Sequence, residues 1–507
     1  MPAVKGRRCR YRKMKKFANK ILALAMGTFI AATFSGCVDF GDREESSSSR
    51  DYTGNETEIL VSVYAAGYGQ GWIDEACRIY EEKHPEYRFK IRANSRMFDT
   101  VKTELTSGTC TSDIVLVAGY DYLNLATTGK LAELSSVYDS KIPDSEKTVR
   151  EVVADEQYAY RLLGENKDKI YGIPWQDSGA NGFVYNKKMF DQNGWTIPST
   201  MDEFFSLCDK IAEKDLAPLV YGGGQQNAYV TMTPNQWLVQ YYGDDYMQNT
   251  FEKYESPDQY KTTEEGRLKA YQYLAKLLKG KTADGGNIAL TGSKSFTAQA
   301  AQREFIKGNA AMVSCGPWFP TEMKSLLKDY PDFEFGYIPL PHINADKKDV
   351  NGNDSSAVNY SLAANLLCVP STAPHADVAR DFLLSMFTKE SYTTFVKENN
   401  GVTRPIDVEI DESVLNGFSK AIYEASAVSK RQGVCVYETS SSPMAINGYL
   451  GLMNFSGGDA YLDIINSQSY EDALKVAASA SRKDYETALS FWDSKTNNWD
   501  SKYLGIN

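Results

Sequence analysis

Histidine is scarce: the 507 residues hold three, His84, His342 and His375, in polar or proline-flanked positions without ligand spacing. A histidine metal site or a histidine general base therefore has little support. Cysteine is scarce too. Eight are too few for a disulfide scaffold in a chain this long, and no C-x-x-C pair marks a metal or redox site. Cys77, Cys110, Cys208, Cys315, Cys368 and Cys435 are scattered, several in apolar runs such as LLCVP and MVSCG. They read as small buried hydrophobes, with an incidental disulfide left open. Complete phosphate-binding motifs are missing as well. Gly67-Tyr68-Gly69-Gln70-Gly71-Trp72 lacks the third glycine of a dinucleotide fingerprint at its required place, and Gly222-Gly223-Gly224-Gln225 lacks the Gly-Lys-Ser/Thr ending of a phosphate loop. No cofactor and no metal are expected.

What is present is a globular composition. With 42% hydrophobic, 24% charged and 12% aromatic residues, 37 Gly and 17 Pro, the chain is not collagen, coiled coil, bulk disorder or a polytopic membrane protein. At ~150 residues per domain, the length fits about three domains or two large ones. The net charge of −11 conceals an asymmetry, because residues 1–36 hold nine Lys or Arg and no acid. The remainder carries 46 basic against 66 acidic side chains, a balance of −20. A body this acidic repels phosphate backbones and anionic lipid surfaces, so nucleic acid is not an expected partner.

The basic residues from Lys5 to Lys20 precede an apolar run of fourteen residues, Ile21 to Phe34, the layout of a secretory leader. That run is shorter than the ~20 residues a spanning helix needs. It ends in Phe34-Ser35-Gly36-Cys37, which resembles the bacterial lipobox, although Phe34 stands where leucine is usual. The resemblance implies cleavage after residue 36 and lipidation of Cys37, which would make the membrane a partner through a lipid anchor only. Met14 is an alternative start. Residues 37–57 are polar and Ser-rich and read as a flexible tether.

From Glu58 short apolar runs alternate with amphipathic segments, the pattern of an α/β fold with mainly parallel sheets flanked by helices. EILVSVYAA, YRFKIRAN and DIVLVAG read as strands. In GWIDEACRIYEEKHP, Ile73, Ala76, Cys77 and Tyr80 fall on one helical face. A second α/β series starts near Tyr171. There Thr200 and Glu203 have capping-box spacing ahead of the apolar stripe Phe204, Phe205, Cys208, Ile211 and Ala212. FEFGYIPLPH and VNYSLAANLLCVPS read as further strands, and the rest as mainly helical.

The run Glu304-Phe305-Ile306-Lys307-Gly308-Asn309-Ala310-Ala311-Met312-Val313-Ser314-Cys315-Gly316-Pro317-Trp318 resembles the F-x-x-G-x-A-A-M-x-x-x-G-x-W pattern of extracellular solute-binding proteins of carbohydrate ABC importers, the maltose-binding class. Asp113-Ile114-Val115, Tyr171-Gly172-Ile173-Pro174, Tyr185-Asn186-Lys187 and Ile338-Pro339-Leu340-Pro341 accompany it in the family's order. The resemblance spans residues 57–490. It implies a two-lobed type II fold with hinge crossings, lobe 1 taking residues 58–173 and 334–394 and lobe 2 residues 174–333 and 395–507. It also implies a monomer on the extracellular or periplasmic face that closes on a sugar or oligosaccharide and delivers it to permease subunits.

Ligand sites in such sheets form at the carboxyl ends of strands. A sugar offers an apolar face to aromatic rings and a rim of hydroxyls to polar groups. The candidates are Tyr68, Gln70, Tyr120, Asp121, Trp175, Asp177, Gln226, Trp237, Trp318, Tyr360 and Arg404, with Trp318 matching the pattern's tryptophan. Other readings remain open at this point. A lipid-anchored glycoside hydrolase needs two carboxyls across the scissile bond. A ferric-ion carrier finds a precedent in adjacent Tyr241-Tyr242. A surface sensor or adhesin uses the same lobes.

Overall fold

Thr57–Tyr64 (β1) is a strand whose apolar face carries Ile59, Val61 and Val63, all fully buried, while Ser62 on the other face is buried as well, against Ser112. Each such apolar side chain contributes roughly 1.5–3 kcal/mol relative to an exposed one. Gly71–Lys83 (α1) follows and buries Ile73, Ala76, Cys77 and Tyr80 together, as its period requires. Tyr87–Asn94 (β2) returns parallel to β1, in register from Thr57↔Tyr87 to Tyr64↔Asn94. Met97–Ser107 (α2) leads to Ile114–Val117 (β3), whose four residues are all buried, and Gly119–Thr127 (α3) starts directly after it. The computed structural model describes residues 53–153, 169–176, 182–224, 229–246, 264–361, 365–431, 435–437, 459–480 and 482.

Ile173–Pro174 (β4) and Leu366–Cys368 (β10) complete a five-stranded sheet of order β2-β1-β3-β10-β4. A second sheet, of order β6-β7-β5-β8, is built from Gly182–Asn186 (β5), Ala217–Val220 (β6), Ala310–Ser314 (β7) and Phe335–Pro339 (β8). Asn359–Ser361 (β9) and Cys435–Tyr437 (β11) form a separate parallel pair. Helices Met201–Ala212 (α4), Thr233–Tyr246 (α5), Glu264–Lys279 (α6) and Ala298–Ile306 (α7) belong to the second half. Ala376–Ser385 (α8) and Lys389–Glu398 (α9) bury Phe382, Leu383, Phe395 and Val396 in the first sheet's core, and Gly417–Arg431 (α10) comes after them.

Four expectations are corrected. Both sheets are mixed rather than mainly parallel, because β10 runs antiparallel to β3 and β4 while β5 opposes both β7 and β8. A chain that crosses between sheets re-enters from the far end and so reverses direction. The segment 335–339, assigned to the first lobe by the boundary at residue 334, instead pairs with β5 from Gly182↔Pro339 to Asn186↔Phe335. The run read as one strand from Val358 to Ser371 is divided between β9 and β10, which lie in different sheets. At the other boundary, Phe395, Val396, Ile406 and Ile410 stay in the first core beyond residue 394.

The helix at 201–212 starts as its sequence dictates. Thr200 Oγ1 accepts the Glu203 amide at 3.3 Å, but the reciprocal carboxylate takes the Ser199 amide at 2.7 Å, one residue earlier than the expected box. The described cysteines Cys77, Cys110, Cys208, Cys315 and Cys368 are buried and unpaired. Among the described residues no helix is long and apolar enough to cross a membrane.

Candidate functional site

The carboxyl ends of β1, β4 and β7 meet. After β1, the Gly69 amide donates to the Ala66 carbonyl at 2.8 Å, turning the chain so that Tyr68 projects between two tryptophans. Its ring centroid is 5.9 Å from Trp175 and 5.8 Å from Trp318, in near-perpendicular contacts of 85° and 79°. Edge-to-face geometry suits the aromatic quadrupole. Trp175 follows β4 in the first sheet and Trp318 follows β7 in the second, so these three rings join the two halves. Gly316 is needed for this placement: a Cβ there would lie 2.3 Å from the Trp318 indole. Gly67 is equally confined, since its Cβ would stand 2.8 Å from that of Trp318.

Several polar atoms here are buried without a hydrogen-bond partner: Trp175 Nε1, Trp318 Nε1, Gln176 Oε1 and Tyr337 Oη. The Cys315 thiol is the near neighbour of the Trp318 indole, a weak acceptor at best. An unsatisfied buried group costs about 1–3 kcal/mol, so donors and acceptors collected at one junction favour a molecule that carries hydroxyls. Beside them Tyr229 sits 4.8 Å from Trp318, and its hydroxyl donates to Glu322 Oε1 at 2.6 Å. Gln302 Nε2 donates to the other carboxyl oxygen at 2.5 Å. Burial pushes the Glu322 carboxyl up and the Tyr229 phenol well up.

Of the sequence-derived candidates, Tyr68, Trp175 and Trp318 converge. Gln70 stands at the N-cap of α1, with Nε2 on Asp74 Oδ1 at 2.8 Å. Asp121 is 8% exposed in the first turn of α3, and Lys102 Nζ lies 2.6 Å from its carboxylate. Arg404 is fully buried behind Trp175. Its Nε donates to the Pro174 carbonyl at 3.1 Å and its Nη1 to the Met386 carbonyl at 2.9 Å. Desolvation lowers its pKa to about 10. Arg404 thus fixes the strand end that carries Trp175. Trp237 is fully buried in the second sheet's core and donates to the Pro341 carbonyl at 3.2 Å, apart from the three rings.

Tyr120 lies on α3 and Tyr360 on β9, with their side chains outside the described set, and Asp177, Gln226 and Cys37 lie outside the described residues altogether. Tyr241 and Tyr242 are both buried, 4.9 Å apart, and the Tyr242 hydroxyl accepts the Gly266 amide at 3.0 Å. Among the described residues no group of three His, Cys, Asp or Glu is arranged for a metal ion. Sequence reasoning passed over Tyr229, Gln302, Glu322 and Tyr337. Only Glu322 left a local trace, four residues after Trp318.

The chain is similar to several known proteins. The diacetylchitobiose-binding protein NgcE of Streptomyces coelicolor is 22% identical over 391 residues, covering 74% of this chain and 77% of its own. The multiple sugar-binding protein of Streptococcus mutans is 26% identical over 223 residues, 43% and 48% of the two chains. Among solved structures, apo RafE from Streptococcus pneumoniae superposes with a TM-score of 0.58 at 15% identity, over 85% of this chain and 99% of that one. These neighbours share the two-lobed type II fold. The family described as bacterial extracellular solute-binding protein matches residues 62–393, and this chain belongs to it.

Proposed function

We propose that the protein captures a sugar or oligosaccharide in the crevice between its two sheets and hands it to the permease subunits of an ABC importer. The observation that carries this reading is the Tyr68, Trp175 and Trp318 cluster, built from both sheets and edged by unpartnered indole, phenol and amide groups. Rings take the apolar face of a pyranose while such groups take its hydroxyls. The relatives support the ligand class, being named for diacetylchitobiose and for multiple sugars. In this reading the two lobes correspond to the two sheets, with crossings between residues 174 and 182 and between 339 and 366, while α10 packs on both cores, through Tyr423 on one and Phe418 and Ile422 on the other.

Capture needs no covalent chemistry. A ligand touching both lobes stabilises the closed arrangement by its difference in affinity for closed and open forms. In the same reading the protein is a monomer, held at the outer membrane surface by lipid on Cys37 and a tether reaching residue 57.

The test is a thermal-shift screen against raffinose, galactose, diacetylchitobiose and chitin oligosaccharides, with ferric ion and a peptide mixture as controls. Binding raises the midpoint by mass action, about 2.7 kcal/mol at a hundredfold excess over Kd. A saccharide hit recovered uncleaved supports the reading. A response to ferric ion or peptide alone, or a cleaved sugar, refutes it. For the anchor, Cys37→Ser should abolish incorporation of labelled palmitate and release the protein from membranes.

A further inference from the structure

Helix α9 ends on two asparagines that point to different partners. Asn399 is fully buried and turns its amide back on its own helix, Nδ2 donating to the Phe395 carbonyl at 2.8 Å. Asn400 takes a left-handed φ of +55°, and Gly401 follows at +93°. The Gly401 amide donates to the Val396 carbonyl at 2.8 Å and the Asn400 amide to the Lys397 carbonyl at 3.2 Å, the pair of bonds that ends a helix with a left-handed residue just past its cap. Glycine is the usual residue at such a place, because a Cβ strains the conformation. The backbone at 400 therefore has no need of an asparagine, and its side chain has another use. Its Nδ2 donates to the Pro317 carbonyl at 3.1 Å and reaches Thr321 Oγ1 at 3.4 Å. These two acceptors bracket Trp318, whose own carbonyl takes the Thr321 amide at 3.1 Å and the Glu322 amide at 2.9 Å. One amide thus holds both ends of the turn that carries the ring.

That amide arrives from the other half of the molecule. Phe395 and Val396 lie in the first sheet's core, whereas Val402 already belongs to the cluster that holds Trp318. Behind the asparagine, a Cβ on Gly401 would stand 1.9 Å from the Ser419 carbonyl oxygen of α10, so the chain passes here in close contact. In front of it, a Cβ on Gly69 would lie 3.2 Å from Thr321 Cγ2, so the loop that carries Tyr68 meets the same turn. We propose that Asn400 is a positioning residue for saccharide capture: from the end of α9 its amide fixes the 317–321 turn and so sets the Trp318 indole against Tyr68. The proposal rests on the saccharide reading above.

The experiment is calorimetry of the full chain with raffinose, galactose, diacetylchitobiose and chitin oligosaccharides, beside urea unfolding of the empty protein. Asn400→Gly keeps the left-handed helix end and removes only the amide. Its urea midpoint should stay near that of wild type while affinity falls roughly three- to tenfold, the worth of one neutral hydrogen bond. Asn400→Asp keeps the shape but turns a carboxylate toward the Pro317 carbonyl, and should lose at least as much. When Trp318→Ala is added to Asn400→Gly, the glycine should cause little further loss, because the amide acts through the ring. A purely structural Asn400 would lower affinity equally in both backgrounds. If the double variant does not fold, the single variants decide. Affinity of Asn400→Gly within twofold of wild type, tighter binding by Asn400→Asp than by Asn400→Gly, or full additivity with Trp318→Ala overturns the positioning role alone. Failure of the wild type to bind any of the four sugars overturns the saccharide reading and the role with it.

Discussion

Gly67→Ala is the most discriminating single perturbation of the proposed capture mechanism. The new Cβ would stand 2.8 Å from Trp318 Cβ and 3.1 Å from its Cγ, and neither atom belongs to the free end of a flexible chain. Tight packing of one extra methyl group of this kind costs about 1–3 kcal/mol. Gly67 and Trp318 belong to loops of different sheets, so the cost falls on the arrangement in which those loops touch and spares each sheet's own core. At ~1.4 kcal/mol per tenfold, saccharide affinity should weaken by roughly 5- to 150-fold. Calorimetric titration with the best saccharide from the screen reads this directly, and urea unfolding of the empty protein supplies the control. An affinity within twofold of wild type would refute the reasoning. So would a loss of apo stability as large as the loss of binding energy, because the clash would then lie inside one folding unit.

Trp318→Ala should weaken saccharide binding by roughly 2 kcal/mol, in the range of single stacked-ring losses, and should also lower apo stability, because the ring is buried in a core cluster. Trp237→Ala should spare affinity and remove about 3–5 kcal/mol of stability at a fully buried position, as chemical denaturation would show. Arg404→Leu leaves the Pro174 and Met386 carbonyls without their donors and should cost about 3 kcal/mol in guanidinium unfolding. His342 is held neutral by burial between Ser355 and the Asn344 amide, with its pKa depressed from 6.5. An unfolded imidazole therefore binds the proton more readily than the folded one. The contribution of His342 is complete above pH ~6.5 and is lost as pH falls below it, by about 1.4 kcal/mol per unit of depression. Urea midpoints at pH 5 and pH 7.5 should differ less in His342→Gln than in wild type.

Local periodicity made much of the fold legible. The buried stripe of α1 and the start of α4 follow from spacings within one or two turns, and both stand where the sequence puts them. Strand allocation was less accessible. Whether 335–339 pairs with β5 depends on partners some 150 positions away, a matter on which a strand's own residues carry no information. The site divides in the same way. Trp318 and Trp237 are both tryptophans in apolar surroundings. One reaches the junction because Gly316 lets its ring fold back over the backbone, while the other turns into the core. Arg404 looked like a hydroxyl-binding group because charge usually means exposure, whereas here two main-chain carbonyls draw it inside. Glu322 escaped notice because its meaning comes from Tyr229 and Gln302, far away in sequence and near only after folding.

The interleaved order of the first sheet sets a schedule for biogenesis. Val117 of β3 meets its antiparallel partner Leu366 only after 249 further positions have been made, and Pro174 of β4 has no strand partner until that same residue arrives. At translation speeds of about 5–20 residues per second, a wholly apolar strand edge waits for roughly 10 to 50 seconds. Shortening the chain ahead of residue 366 would leave that edge uncovered for good, so nascent fragments ending there should be sticky clients for holding chaperones, and full-length chains should become protease-resistant late and in a single step.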